Sequence, residues 1–411
     1  MATTVAKVSA TLPPLPSGAA RGIGAAAVAL GIAAILAQFW AQAALFWLFG
    51  LAFGFVLQRS RFCFASAFRD LFLLGDGRLM RGVLAGLTVA TLGFALVMYT
   101  YLPRLAPDRY PLSAGISPVG PTTLIAGLIF GFGMVIAGGC MSGNLYRIGE
   151  GYVASLVAFV GMLGGLVLIM LTWNWWYEVL ITRQPKVWFP HSLGWAGGVG
   201  LTLLALLAAY ALVAWWELRT GPPLPSFPTG PEMPPATVQE HWAEVLQQVF
   251  VRGWPAVVGG VSLGIINLLA YLYERPIGVT GELSRWAHWL YEAAGGHHLE
   301  LAGADLGPCM QIAVAALFAK ETFIVLGIVA GSFVAALLAR EFKVRLPQQR
   351  RRYVQALGGG VLLGYGGGLG IGCTLGAFFA SIPSLSLGGW VFALGLMGGA
   401  WTGVQVIRRI G

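Results

Sequence analysis

The chain contains few charged residues for its length. Asp, Glu, Lys and Arg make up 10% of the sequence, against roughly 25% in soluble domains. The mean hydropathy is +0.76, and apolar runs of about 20 residues recur along the chain, long enough to cross a bilayer as helices. This composition excludes an ordinary soluble domain and predicts an all-α polytopic membrane protein that contacts the lipid bilayer directly.

Several motifs of known chemistry are missing. No GxxxxGK[ST] loop is present, which argues against direct ATP hydrolysis by this chain. The four cysteines form no CxxC or CxxH pattern, so a zinc site is not expected. His297 and His298 lie in a predicted loop, and the sequence shows no second pair of metal ligands to join them. Neither a metal site nor a cofactor is therefore expected.

The net charge of +9 is a weak indication of nucleic acid. Most of the basic residues flank apolar helices, where positive charge sets the orientation of a membrane protein. No nucleic-acid partner is therefore expected, and the small anionic substrates of membrane proteins become the more natural partners.

About ten crossing helices are predicted, and they divide the chain into four regions. Region 1–42 holds an N-terminal segment and an extra helix, and 43–216 forms the first half. Region 217–253 is a Pro-rich cytoplasmic loop, and 254–411 forms the second half. The predicted crossings lie near 22–38, 43–58, 81–102, 122–138, 151–173, 193–216, 254–273, 320–339, 353–371 and 386–407.

Three of the four cysteines occupy the same place in a repeated motif. In each copy two glycines four residues apart precede a cysteine at a fixed offset, which indicates a repeated architecture. The three copies are Gly50/Gly54/Cys63, Gly127/Gly131/Cys140 and Gly360/Gly364/Cys373. A fourth copy, Gly260/Gly264, places Tyr273 where the cysteine would be, as a gate or as an ordinary packed aromatic.

Eight of the ten predicted helices form four units, each made of a first helix, a short irregular segment and a returning helix. The returning helices carry glycines as well, which predict close helix packing. Within a unit, the glycine pair of the first helix and that of the returning helix are separated by 32, 34 and 35 residues in the first, second and fourth units. In the third unit they are separated by 67 residues. The third unit is therefore predicted to carry a periplasmic insertion near 276–318, which holds Cys309 and three histidines. We expect this insertion to be dispensable for transport.

The distribution of Lys and Arg predicts the orientation. With the N-terminus inside, the predicted cytoplasmic segments hold 18 of the 25 basic residues, which places both termini in the cytoplasm. The single extra helix at 193–216 then inverts the second half relative to the first. Inverted repeats of this kind build many secondary transporters, whose sites lie where the repeats meet.

Each of the three cysteines in register opens a short polar, Gly-rich segment that is too short to span a bilayer. Such backbone is tolerated at membrane depth only where protein or a water-filled cavity satisfies it, so the segments are predicted to be re-entrant half-helices. Their N-termini carry positive dipole ends and free N–H groups, which attract anions. A neutral thiol at such a point offers a weak S–H donor and a polarisable sulfur.

These segments resemble the YeeE/YedE family. The resemblance rests on the repeated G-x3-G-x8-C signature, the GGC-x-x-G segment at Gly138–Gly143 and the GxGC-x-x-G segment at Gly370–Gly376, and it covers about 43–407. That family includes inner-membrane thiosulfate importers and selenium-related transporters. The resemblance implies that Cys63, Cys140 and Cys373 line a path that passes thiosulfate along through S–H···S contacts.

The predicted function is thus an inner-membrane transporter that imports thiosulfate, and not an enzyme. Two alternatives stay open: a transporter of selenium or another sulfur oxyanion, and a membrane thiol enzyme that transfers sulfur through a persulfide. A small soluble TusA-like sulfur carrier is a candidate partner on the cytoplasmic side. The expected substrate-binding residues are Cys63, Cys140, Cys373, Gly139, Gly143, Asn144, Gly372 and Thr374.

Charged residues near these segments allow two interpretations. The arginines beside Cys63 and Cys140 either anchor the chain at the membrane surface or line a cytoplasmic vestibule. A second group is expected to form ion pairs at the outer surface. The first group is Arg59, Arg61, Arg69 and Arg147, and the second is Glu282, Arg285, Lys320 and Glu321.

Overall fold

A computed structural model describes residues 17–106, 109–220, 247–299, 301–303 and 318–410. The regular secondary structure of these residues consists of helices, joined by loops, and three isolated β-bridges. Most of the Pro-rich loop and the fourth cysteine, Cys309, lie outside the described residues. The helices are α1 Ser17–Phe39, α2 Ala41–Ser60, α3 Phe64–Leu74, α4 Arg78–Tyr101, α5 Pro121–Ala137, α6 Met141–Gly149, α7 Val153–Val179, α8 Phe189–Thr220, α9 Ala256–Tyr273, α10 Thr280–Ala293, α11 Thr322–Leu338, α12 Arg350–Leu369, a π-helix Thr374–Ala380 and α13 Leu387–Ile410.

The predicted fold class is confirmed: the chain is an all-α polytopic membrane protein. Each of the ten predicted crossings coincides with a helix. Eight helices in the described part of the chain are long and apolar enough to cross a membrane, or nine if α12 and the π-helix, which are bent by 49°, count as one span. Helix α11 is apolar but has only 17 residues.

Local sequence sets the ends of these helices. Helix α5 begins at Pro121, because a proline at the first helical position loses no hydrogen bond. It ends at Gly138, whose φ of 81° is the left-handed conformation common after a helix C-terminus. Gly75, with a φ of 70°, ends α3 in the same way. Short connections of this kind keep each half-helix close to the helix before it.

Glycines join the two halves of the chain in four helix pairs. An added Cβ on Gly50 would meet Ile324 O, and one on Gly54 would meet Ile328 O, so the backbones of α2 and α11 touch and run parallel. Glycines let membrane helices approach closely, and three more helix pairs show the same pattern. These pairs are α4 with α9, α5 with α13 and α7 with α12.

In every pair, the first helix of a unit in one half packs against the returning helix of a unit in the other half. Units one and three exchange helices in this way, and so do units two and four. The short helices α3, α6, α10 and the π-helix lie inside the frame that the eight paired helices form. Their buried side chains share one hydrophobic core, which includes Cys63, Cys140 and Cys373.

The third unit has a half-helix of its own, which corrects the assignment of 276–318 as a surface insertion. Helix α10 starts within that range, and Val279, Leu283 and Ala287 along it are fully buried. The backbone N–H of Ile277 donates to Asn267 Oδ1 at 2.8 Å, which fixes the connection to α9. Most of the extra length relative to the other units therefore follows Ala293.

Candidate functional site

The three cysteines in register cap three short helices. Cys63 precedes α3, Cys140 precedes α6 and Cys373 precedes the π-helix, each with extended backbone. This is the position whose side chain faces the free N–H groups of a first turn. All three thiols are free and buried, with at most 1% of each residue exposed. The prediction that each cysteine opens a short helix is confirmed.

Two of the thiols meet at Gly143. A methyl group added to this glycine would lie 2.6 Å from Cys63 Sγ and 3.1 Å from Cys140 Sγ. The backbone N–H of Gly143 donates to Cys140 Sγ at 3.3 Å, as expected for a cap at the start of a helix. The absence of a side chain at Gly143 thus leaves room for both sulfur atoms beside the first turn of α6.

The polar residues that follow Cys140 hold its turn in place. Asn144 Nδ2 donates to the carbonyl oxygens of Gly139 and Cys140, both at 3.0 Å. Ser142 Oγ lies 3.5 Å from Cys140 Sγ. Asn144 Oδ1 is buried and has no hydrogen-bond partner. Asn144 is therefore a brace for the turn.

The third cysteine segment approaches the same point. The Thr374 hydroxyl lies beside the Cys140 thiol, yet its Oγ1 is buried and makes no hydrogen bond within normal distance. An added Cβ on Gly372 would lie 2.7 Å from the backbone N of Ala377, so glycine lets the preceding chain pass close to the π-helix. The segments that begin at Cys140 and Cys373 thus meet through Thr374.

The fourth half-helix reaches the centre without a cysteine. Helix α10 begins at Thr280, whose Oγ1 lies 3.7 Å from Met141 Sδ at the start of α6. Tyr273 ends α9 instead, is 40% exposed and packs against Phe46 at a ring distance of 6.1 Å. Of the two roles considered for Tyr273, the structure therefore supports an ordinary packed aromatic away from the thiols and does not support a gate.

A first cavity opens beside the first turns of α10 and along the π-helix. Its charged lining comprises Arg275, Glu282, Arg285 and Glu321. Arg275 pairs with Glu321 at 2.6 Å, and Arg285 lies 3.0 Å from Glu282 and 3.4 Å from Glu321. Glu282, Arg285 and Glu321, expected in surface ion pairs, are instead largely buried. Helix α10 carries the first two into the core, and Glu321 lies at the start of α11. Lys320 pairs with Glu274 at 2.6 Å.

A second cavity lies at the other end of the molecule and is strongly basic. It is lined by Arg61, Tyr146, Arg147, Glu150, Tyr152, Arg340, Glu341, Phe342, Lys343 and Arg345. Five of these ten residues are basic and two are acidic. Burial raises the pKa of the Glu150 carboxyl above its usual range, against the opposing effect of Arg147 and Arg345. An anion that enters this cavity meets an excess of positive charge.

The flanking arginines divide between the two interpretations. Arg61 and Arg147 line the basic cavity, and Arg147 also donates to the carbonyl of Gly138 at the end of α5. Arg59 is buried and donates to Val251 O at 2.6 Å. Arg69 pairs with its neighbour Asp70 at 2.8 Å. Two of the four arginines are thus structural and two face the cavity.

The thiol cluster lies between the two cavities. Helix α11 connects them, since Glu321 precedes it in the first cavity and Arg340 and Glu341 follow it in the second. Its 17 residues span about 25 Å at roughly 1.5 Å per residue. Helix α6 runs from Cys140 to the basic cavity, and the π-helix runs from Cys373 to the first cavity. The short helices that begin at Cys140 and Cys373 therefore lead to different cavities.

The described residues thus define a polytopic membrane protein with buried thiols between two charged cavities. A family model described as sulphur transport matches residues 59–402. The chain belongs to this sulfur-transport family, the YeeE/YedE family that its cysteine segments resemble, and it is a transporter rather than an enzyme.

Two relatives cover most of the chain, and a third covers a little under half of it. The thiosulfate transporter TsuA of Spirochaeta thermophila is 29% identical over 364 residues, which are 88% of this chain and 98% of the relative. TsuA of Escherichia coli is 29% identical over 363 residues, 86% of this chain and 91% of the relative. The probable transporter YedE of Salmonella typhimurium is 34% identical over 191 residues, 46% of this chain and 45% of the relative.

Proposed function

We propose that this chain imports thiosulfate across the inner membrane, past Cys63, Cys140 and Cys373. The observation that carries the proposal is the pair of sulfurs at Gly143 between two cavities that contain arginine. A relative named as a thiosulfate transporter, which the chain covers over 98% of its length, supports the choice of substrate. Thiosulfate has a charged oxygen end and a soft terminal sulfur, which match arginine and thiol respectively.

The path follows from the placement of these groups. In the first cavity, Arg275 and Arg285 attract the dianion, while Glu282 and Glu321 keep the arginines from holding it too tightly. Neutral thiols then receive the anion, because a thiolate would repel it. Free N–H groups at the starts of the short helices stabilise its charge, and the basic cavity receives it on the far side.

We further infer that the two halves of the chain have inverted topology and that both termini lie in the cytoplasm. Parallel packing of a first helix against a returning helix, repeated in four pairs, supports this inference, because the first and returning helices of one unit run in opposite directions. The basic cavity then faces the cytoplasm, in agreement with the excess of Lys and Arg there. A TusA-like sulfur carrier would meet the substrate at this cavity.

The test of the proposed function is Cys140→Ala in the full-length chain. We expect uptake of labelled thiosulfate into proteoliposomes to be lost while the protein still elutes as a monodisperse peak. Cys140→Ser should restore uptake only in part, because a hydroxyl matches the terminal sulfur poorly. Cys309→Ala, which removes the cysteine without a register partner, is the matched control and should transport normally.

Two outcomes would contradict the proposal. Full uptake by Cys140→Ala would remove the thiol from the path. A persulfide on Cys140 that forms at the rate of uptake, found by mass spectrometry of the intact protein, would favour sulfur transfer by the thiols over passage of the intact anion.

A further inference from the structure

The C-terminal end of α10 carries a second cluster of ligating side chains, separate from the thiols. His288, Glu292 and His298 each offer one ligand atom, and these atoms all lie within 4.8 Å of one another. His298 Nδ1 lies 2.6 Å from Glu292 Oε1, and His288 Nε2 lies 3.5 Å from the same oxygen. The rings of His288 and His298 are 5.2 Å apart between centroids.

One of these side chains is buried without a partner. His288 is only 3% exposed, and its Nε2 makes no hydrogen bond. Burying a polar atom without a hydrogen bond is unfavourable. This atom faces a carboxylate and a second imidazole, so a ligand bound between the three groups would satisfy it.

We propose that His288, Glu292 and His298 bind a divalent transition-metal ion of the zinc class. Two imidazoles and one carboxylate are ligands that Zn²⁺ accepts, and three protein ligands leave one position open for water or an anion. Tetrahedral ligands about 2.0–2.1 Å from the ion lie roughly 3.3 Å from one another. The 3.5 Å separation of His288 Nε2 from Glu292 Oε1 already matches this spacing.

The remaining adjustment falls on the more exposed ligand, His298. The side chain of His298 is 64% exposed and that of Glu292 is 25% exposed, so the hydrogen bond between them can lengthen to admit an ion from solvent. His288 and Glu292 are four residues apart on one helix and therefore share a face. The metal would join this face to the chain that follows α10.

The site continues a polar stripe that starts in the first cavity. Glu282, Arg285, His288 and Glu292 follow one another at intervals of three, three and four residues along α10, which is one helix face. A metal ion at the outer end of this stripe would hold the end of the half-helix whose inner turns line the cavity. The proposed role is thus a structural clip beside the opening.

The experiment measures metal binding directly, without transport. The untagged full-length protein in detergent is titrated with Co²⁺, whose visible ligand-field bands report coordination, and Zn²⁺ is then added to displace it. One Co²⁺ per chain is expected for the unmodified protein. His298→Ala should weaken binding at least tenfold, and Glu292→Gln should weaken it while conserving side-chain shape.

His297→Ala is the matched control, because His297 is the adjacent histidine and lies outside the cluster. It should bind one Co²⁺ with unchanged affinity. The proposal is overturned if the unmodified protein binds no stoichiometric Co²⁺ or Zn²⁺, or if His298→Ala binds as tightly as the unmodified protein. It is also overturned if His297→Ala loses as much affinity as His298→Ala. Since the readout is spectroscopic, failure here leaves the thiosulfate proposal untouched.

Discussion

At the scale of single residues, Gly143 decides whether two sulfurs can share one turn of helix. Gly143→Ala adds a methyl group that overlaps Cys63 Sγ and crowds Cys140 Sγ. Overpacking of this kind costs about 1–3 kcal/mol, and rotation of the thiols out of the path relieves it. We expect thiosulfate uptake to fall about tenfold, the equivalent of roughly 1.4 kcal/mol, with little change in folding.

Gly164→Ala provides the comparison for this variant. Gly164 lies in α7 with nothing within 4 Å of an added Cβ, so the same substitution there should leave uptake unchanged. Initial rates in proteoliposomes with equal amounts of protein measure both. Equal rates for the two variants would mean that the sulfurs at Gly143 do not contact the substrate.

At the scale of elements, the fold depends on glycines at the crossings between halves. An added Cβ on Gly260 of α9 would collide with the carbonyl oxygen of Gly82 on α4, and neither backbone can move without opening the pair. Gly260→Ala is therefore expected to destabilise the protein by about 1–3 kcal/mol, seen as earlier loss of the monodisperse peak when samples are heated in detergent.

The matched variant is Gly358→Ala in α12. No atom lies within 4 Å of an added Cβ there, and alanine favours a helix over glycine by about 1 kcal/mol. Gly358→Ala should thus be neutral or slightly more stable than the unmodified chain. If heating separates neither variant from the unmodified protein, close glycine packing is not what holds α4 against α9.

The sequence predicts the elements better than their partners. Apolar runs of about 20 residues place ten helices, and the cysteine register identifies three half-helix caps. A glycine motif shows that a helix packs closely but not against which neighbour, so the pairing of α2 with α11 emerges only in the structure. Tyr273 fails as the fourth member because the third connection is longer, and α10 starts at Thr280.

The sequence does not predict the histidine cluster either, because spacing alone does not show which segments meet in the fold. His288 and Glu292 stand four residues apart, which is the spacing of neighbours on a helix, but this signal carries no weight while 276–318 is interpreted as a loop. His298 joins them only because the chain turns back after Ala293. Long-range proximity of this kind is a property of the fold and cannot be obtained from spacing alone.

At the scale of the whole molecule, the two cavities must open on opposite sides of the membrane if the thiols form a path. Leu112 is 75% exposed and precedes the loop that lines the first cavity, and Lys343 lines the basic cavity. With Cys309 replaced by alanine, the remaining cysteines are buried, so one introduced cysteine at either position can be labelled selectively.

We therefore expect Leu112→Cys to react with a membrane-impermeant maleimide in right-side-out spheroplasts, and Lys343→Cys to react only after permeabilisation. The physical reason is the direction of α11, which begins at the first cavity and ends at the basic one. The Cys309→Ala parent without an added cysteine gives the background, and permeabilised samples show that both positions can react. Labelling of both cysteines from the same side would place both openings on one face, which no transport path through the thiols could use.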